Sequence, residues 1–220
     1  PYTEDDARVR AIQLYRVYDA CERNKVCAGA VAGLADQSYW AFLALLTWTK
    51  DEKAVAMMIK PFSPLRCYAT LADWADQKTE KGVWAHPLIA IDKSRQLMMS
   101  WWSIVRLYWI CQRRPFSHCP ILSKNENDAQ ELMGRLDVMH GLLPGWYKKL
   151  KNLEGVRMLA ESMVFPNRSK IEAMPQKGGD AMRSRVPTMW LSDEAAFQSD
   201  FKNNFKAAKG TSDARTQGIM

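Results

Sequence analysis

Residues 88–101 read Leu-Ile-Ala-Ile-Asp-Lys-Ser-Arg-Gln-Leu-Met-Met-Ser-Trp, and this stretch decides the fold. Its first four residues are apolar and predict a short buried strand, and the apolar run from Leu97 to Cys111 predicts a helix. A strand, a polar turn with a lysine and a helix that starts beside a hydroxyl form the layout of a phosphate-binding loop. The segment therefore predicts a nucleotide site, although the usual glycines are absent and Met99 stands where the standard loop has its lysine.

A second motif follows about a hundred residues later, where residues 189–194 read Met-Trp-Leu-Ser-Asp-Glu. An apolar strand here ends in two adjacent carboxylates, Asp193 and Glu194. In a P-loop ATPase such a strand lies beside the loop strand, its first acid coordinates Mg²⁺ and its second polarises water. The alternative is that the two acids only begin a helix, where they favour the helix dipole. The two motifs in this order favour the nucleotide site.

The remaining pattern divides the chain near residue 80. Residues 1–80 show helical spacing, with Ser38 as a candidate cap. From residue 81 onward strands alternate with helices, which predicts an α/β fold with a mainly parallel sheet and helices on both faces. The predicted strands are Leu88–Ile91, Cys119–Ser123, Ser162–Phe165, Lys170–Met174 and Thr188–Leu191, with Pro166-Asn167 as a hairpin turn and the start of a further strand at Gly218.

Composition narrows the class of protein. The net charge of +7 and pI near 9.2 favour a polyanionic partner, although an ordinary basic protein is an equally good explanation. The sequence lacks an apolar run of the roughly 18–20 residues that a membrane span needs, so we expect a soluble, cytoplasmic protein. The five cysteines are not spaced as metal ligands, and we expect reduced thiols.

At these residues the sequence resembles the ATPase domain of the large terminase subunit of tailed bacteriophages. Lys93-Ser94-Arg95-Gln96-Leu97-Met98-Met99-Ser100-Trp101 is similar to that family's deviant Walker A loop, which carries its lysine at the start. The resemblance implies a P-loop NTPase fold that binds ATP, with Lys93 on phosphate and Ser100 on Mg²⁺. Arg95 either contacts the γ-phosphate or shapes the loop, and Gln96 organises it. The implied nucleotide-binding residues are Lys93, Ser94, Arg95, Gln96, Met98, Met99 and Ser100.

The second motif resembles the family's Walker B segment, which implies that Asp193 binds Mg²⁺ and Glu194 is the catalytic carboxylate. The family places an arginine about ten residues before the Walker B aspartate, where it acts on the nucleotide of the neighbouring subunit. Arg183 matches that spacing and Arg185 is the second choice. Without the resemblance, both would be interpreted as solvated loop charges.

The resemblance implies Mg²⁺-dependent ATP hydrolysis that drives double-stranded DNA into a procapsid in the host cytoplasm. The implied partners are a portal protein, the small terminase subunit and further copies of the chain in a ring, a pentamer. We expect a helical segment 1–80 and an ATPase core 81–220 that stops before the family's coupling motif and lacks its nuclease domain. The rival hypotheses are a degenerate P-loop module without catalysis, for which Met98 and Met99 argue, and another P-loop motor such as a helicase.

Overall fold

A computed structural model of the chain describes residues 2–50, 58–92, 98–174, 182, 186–198, 201–211 and 216–220. These residues divide into two compact units. Unit 1 comprises Pro1–Asp73 and Asp137–Glu154, and unit 2 comprises Trp74–Leu136 and Gly155–Met220. The domain division near residue 80 stays a prediction.

The described residues form helices and strands in the following order. The α-helices are α1 Glu4–Arg23, α2 Lys25–Gln37, α3 Tyr39–Leu46, α4 Arg66–Ala75, α5 Met99–Arg113, α6 Glu126–Leu142, α7 Gly145–Leu150 and α8 Phe201–Thr211. The strands are β1 Trp48–Lys50, β2 Ile59–Pro61, β3 Leu88–Ile89, β4 His118–Leu122, β5 Arg157–Leu159, β6 Ser162–Val164, β7 Lys170–Met174, β8 Met189–Ser192 and β9 Gln217–Ile219. None of these helices is both long enough and apolar enough to cross a membrane.

Unit 1 is mostly helical because its sequence supplies a polar cap at the start of each early helix. Thr3 and Asp6 form a capping box at α1, and Asn24 accepts hydrogen bonds at the start of α2. Ser38 accepts the Ala41 N–H at 3.2 Å, so its predicted role as a cap is confirmed. Strands β1 and β2 pair antiparallel. One part of the core comprises Ala11, Leu14 and Trp48, with Tyr18, Leu45, Ile59 and Leu142 packed against them.

Unit 2 is built on a seven-stranded sheet in the order β3-β9-β8-β4-β7-β6-β5. The first five strands run parallel, and β6 and β5 continue the sheet antiparallel. This confirms the predicted α/β class, and the antiparallel pairing of β6 with β7 agrees with the predicted hairpin turn. The expectation that the two motif strands are neighbours was wrong, because β9 lies between β3 and β8.

Helices cover both faces of this sheet. Cys119 of β4 contacts Cys111 of α5, with 3.5 Å between the sulfurs. Leu122, three residues further along β4, instead packs with Trp190 and with Ala208 of α8. Since side chains alternate between the faces of a strand, α5 and α8 lie on opposite faces. Trp101 and Trp102 of α5 are 6% and 0% exposed, so the prediction that they belong to the core is confirmed.

A buried arginine ties the middle of α5 to the sheet. The Arg106 side chain is fully buried, with 2.7 Å between its Nη2 atom and Asp76 Oδ1. Arg106 also donates from Nε and Nη2 to Gln217 Oε1 of β9 at 3.1 and 3.0 Å. Gln217 in turn donates from Nε2 to the His86 carbonyl at 2.9 Å, just before β3. Because a buried charge is costly without partners, this network fixes α5 against β9 and the approach to β3.

Candidate nucleotide-binding site

The two sequence motifs meet at the carboxyl edge of the parallel strands. Ser100 is the second residue of α5, and Asp193 directly follows β8. Ser100 Oγ lies 3.2 Å from each carboxylate oxygen of Asp193, across 93 residues of sequence. The Asp193 N–H donates to the Leu122 carbonyl at 2.9 Å, which extends the pairing of β8 with β4 by one residue. The two predicted Mg²⁺ ligands are therefore brought together.

The backbone turns sharply after Asp193, and this turn separates the two acids. Glu194 has a φ of 54°, in the left-handed region that non-glycine residues seldom occupy. Gln198 closes the turn, since its Nε2 atom donates to the Asp193 carbonyl at 2.8 Å. Ser192 Oγ donates to Gln198 Oε1 at 3.0 Å from the end of β8. The sequence carried no signal for Gln198, because its role depends on the path of the turn.

Glu194 forms an ion pair with a lysine from the neighbouring strand. Lys124, two residues after β4, lies 3.0 Å from Glu194 Oε2 and 3.1 Å from Asp128 Oδ2. The hydrogen bond that Lys124 donates to Glu194 raises the pKa of the Lys124 ammonium, and Asp128 adds to the effect. The sequence analysis assigned Lys124 no role. The available signal was a cation directly beyond a parallel strand, at the edge where ligands bind.

The start of α5 accommodates methionine without backbone strain. Met98 occupies the capping position with φ −76° and ψ 35°, so the residue does not need the positive φ that favours glycine. Its carbonyl accepts the Trp102 N–H at 2.9 Å, and Met99 is 7% exposed and joins the core. The helix begins at Met99, two residues later than predicted. The conformational argument against a methionine at position 98 was therefore wrong.

Six of the predicted residues lie outside the described part of the chain. They are Lys93, Ser94, Arg95, Gln96, Arg183 and Arg185. Their roles stay predictions, as do the roles assigned to Met98, Met99, Ser100, Asp193 and Glu194.

The chemistry of the Ser100–Asp193 pair fits Mg²⁺. A hydroxyl and a carboxylate are hard oxygen ligands, and Mg²⁺ in phosphate sites usually takes one or two protein ligands and fills its remaining positions with water and phosphate oxygens. Within the described residues, three or more His, Cys, Asp or Glu side chains do not cluster as a metal site. The pair is therefore suited to a Mg²⁺ ion that arrives with a phosphate ligand.

Comparison with solved structures places the fold. The chain is similar to the crystal structure of the HK97 bacteriophage large terminase, with a TM-score of 0.60 and 12% identity over 84% of this chain. This chain has the fold of a phage large terminase. It spans 37% of the length of the HK97 protein.

Two further matches have lower structural similarity. The large terminase ATPase domain of Thermus phage P74-26 matches at a TM-score of 0.45 and 17% identity, over 60% of this chain and 58% of that one. The large terminase of the thermophilic bacteriophage D6E, solved with ADP, matches at 0.46 and 11%, over 70% and 37%. No protein-family model and no curated protein sequence matches the chain.

Proposed function

We propose that this chain is the ATPase motor part of a phage large terminase, which hydrolyses Mg-ATP to move double-stranded DNA into a procapsid. The observation that carries the proposal is the contact of Ser100 with Asp193 at 3.2 Å. It joins the residue proposed to end the Walker A loop to the first acid proposed for Walker B, at the edge of the sheet where ligands bind. The similarity in fold to the HK97 protein supports the same conclusion.

The proposed roles follow from the chemistry of each residue. The loop residues Lys93 to Gln96, with Met98, Met99 and the N-terminus of α5, hold the phosphates, because helix N-termini attract anions. Ser100 and Asp193 hold Mg²⁺, which neutralises phosphate charge when it is bound. Glu194 accepts the proton of the attacking water as general base.

The proposal assigns two arginines to the transferring phosphoryl group. Arg95 contacts the nucleotide of its own subunit, and Arg183 reaches the nucleotide of the next subunit in a pentameric ring. An arginine that acts between subunits predicts that Arg183→Ala lowers turnover strongly in the assembled ring. Equal turnover by wild-type and variant rings would remove Arg183 from this role. The ring is proposed to contact the portal protein and the small terminase subunit.

A second candidate function is a nucleotide-binding module without catalysis. The ion pair between Lys124 and Glu194 favours it, because a carboxylate held by a lysine at 3.0 Å is engaged away from water. The catalytic proposal requires this exposed ion pair to open when Mg-ATP binds. Exposed ion pairs contribute only about 0–1 kcal/mol, so its opening is energetically accessible.

The test is phosphate release from Mg-ATP by the wild-type protein and by Glu194→Gln. The substitution keeps the shape of the side chain and removes the base, so turnover should fall by about 10²–10⁴-fold while nucleotide affinity is retained. Glu161→Gln is the matched control, since Glu161 is an exposed glutamate in the same unit. Equal turnover in Glu194→Gln and wild type would refute the role of Glu194, and binding without turnover in wild type would favour the second candidate.

A further inference from the structure

Unit 2 contains a cavity of about 350 Å³ whose lining is rich in cations. Lys78 and Lys81 reach it from the loop before β3, and Arg113 and Arg114 reach it from the end of α5. We call these four residues the basic pocket. The loop is held by a bridge between Lys78 and Trp84, and the Lys78 ammonium lies 2.6 Å from the centre of the Trp84 ring.

The basic pocket is separate from the candidate nucleotide site. Ser100 lies at the first turn of α5 and Arg113 at its last residue. A helix rises 1.5 Å per residue, so the two positions are about 20 Å apart along the helix axis. Lys78 and Lys81 precede β3, and Arg114 precedes β4, so the pocket lies at the amino edge of the parallel strands. Asp193 lies at the opposite, carboxyl edge.

Positive charge in the basic pocket is not balanced by the lining residues. None of the described lining residues carries a carboxylate. Of the nearby acids, Asp76 pairs with Arg106 at 2.7 Å, and Glu80 is exposed between the two lysines in sequence. Burial lowers the pKa of Lys78 to about 8, and the Arg106 cation contributes further. A bound anion would offset this crowding of positive charge.

The positive surface continues along the same edge through two braced turns. Phe116 and Arg168 both have left-handed backbones, with φ of 59° and 67°, and the Arg168 guanidinium lies 5.7 Å from the centre of the Phe116 ring. Ser169 Oγ donates to the Arg114 carbonyl at 2.6 Å, and Asn167 Nδ2 donates to the Cys111 carbonyl at 2.7 Å. Exposed residues held in uncommon conformations by such hydrogen bonds are typical of binding surfaces. Arg168 therefore adds a fifth cation beside the pocket.

We infer that the basic pocket and Arg168 bind the phosphodiester backbone of duplex DNA, at the edge of the sheet opposite the nucleotide site. A row of cations on one edge matches a polymer with repeated charges better than a single small anion, and lysine and arginine are the usual phosphate contacts. The choice of DNA rests on the proposed function, whereas the location of the site rests on the cavity and its cations.

The experiment measures the affinity of the protein for a 30-base-pair duplex as a function of salt concentration. Lys78→Gln/Lys81→Gln should lower the steepness of the salt dependence by about 1.8, since each phosphate contact contributes about 0.9. Affinity at 0.15 M salt should fall by about 30-fold if each lysine makes one contact. Lys148→Gln/Lys149→Gln, which removes two exposed lysines of unit 1, is the matched control and should change neither quantity.

Other arms separate the alternatives. Arg113→Gln/Arg114→Gln should reproduce the effect, and DNA-independent ATP turnover should stay unchanged in both pairs of variants. Equal losses in the Lys148/Lys149 control would overturn the inference, as would unchanged salt dependence in the pocket variants. Competition by poly-glutamate as strong as competition by DNA would identify an acidic protein partner instead. A wild-type protein that binds DNA through these lysines yet never hydrolyses ATP would refute the proposed function and leave this inference standing.

Discussion

Substitution of Gly218 by alanine tests how the sheet places the two motifs. Gly218 is the middle residue of β9, and it pairs with Leu88 of β3 on one side and with Trp190 of β8 on the other. A Cβ atom at position 218 would lie 2.2 Å from Trp190 Cζ2 and 2.3 Å from Cε2. These distances are far inside van der Waals contact, so either β9 or the indole must move.

The expected cost follows from what holds each partner. β9 is paired on both sides, and Trp190 is 3% exposed and packs against Leu122, Met174 and Ala208. Overpacking of this kind costs about 1–3 kcal/mol, and we expect Gly218→Ala to lower the free energy of unfolding by about that amount. Urea denaturation measures it from the midpoint at an unchanged m-value.

Two further variants make the reasoning refutable. In a Trp190→Leu background the clash is removed, so the cost of Gly218→Ala should fall by at least about 1 kcal/mol. Gly134→Ala is the control, because a Cβ there meets nothing within 4 Å and an alanine inside α6 should stabilise the protein by about 0.5–1 kcal/mol. A Gly218→Ala protein as stable as wild type, or an equal cost in both backgrounds, would show that the indole does not occupy this position.

Three other predictions concern the edges of unit 2. Lys124→Met should raise basal ATP turnover by releasing Glu194 and should lower the free energy of unfolding by less than about 1 kcal/mol; lower turnover would show that Lys124 assists Glu194. Asn125→Ala should cost about 0.5–2 kcal/mol in urea denaturation, because the Asn125 side chain accepts the Asp128 N–H at 2.9 Å at the start of α6; no change would refute this cap. Burial lowers the pKa of Lys78 to about 8, so between pH 8 and the ordinary lysine pKa of 10.5 the unfolded chain binds more protons and stability rises with pH. This rise should be smaller in Lys78→Gln, and an equal rise would contradict the lowered pKa.

The sequence was sufficient where the signal is local. Strand β7 matches the predicted Lys170–Met174 at both ends, and the strand expected at Gly218 is β9. Helix α6 begins at the predicted residue, but Asn125 caps it instead of the Asn127-Asp128 pair. The cap was misplaced because several polar residues at the start of a helix satisfy the same pattern.

Pairing between distant residues lay beyond the reach of the sequence. The position of β9 between β3 and β8 depends on a glycine that lets the Trp190 indole lie over it, and sequence spacing does not report that contact. Helix α2 was not separately predicted, because its buried residues are the small Ala28, Ala32 and Ala35 and give a weak apolar stripe.

The candidate site divides in the same way. The rule that ligands bind at the carboxyl ends of parallel strands was enough to expect Ser100 near Asp193. The ion pair of Glu194 with Lys124 required the left-handed turn at Glu194, for which the sequence carries no glycine or asparagine signal.

The central claim is that Ser100 and Asp193 mark a Mg-nucleotide site, and calorimetric titration of ATP with and without Mg²⁺ tests it most directly. The account predicts that Mg²⁺ strengthens ATP binding to the wild-type protein by at least about tenfold and that Ser100→Ala loses most of this gain. ATP affinity that is the same with and without Mg²⁺, or a Ser100→Ala protein with the full Mg²⁺ effect, would contradict it.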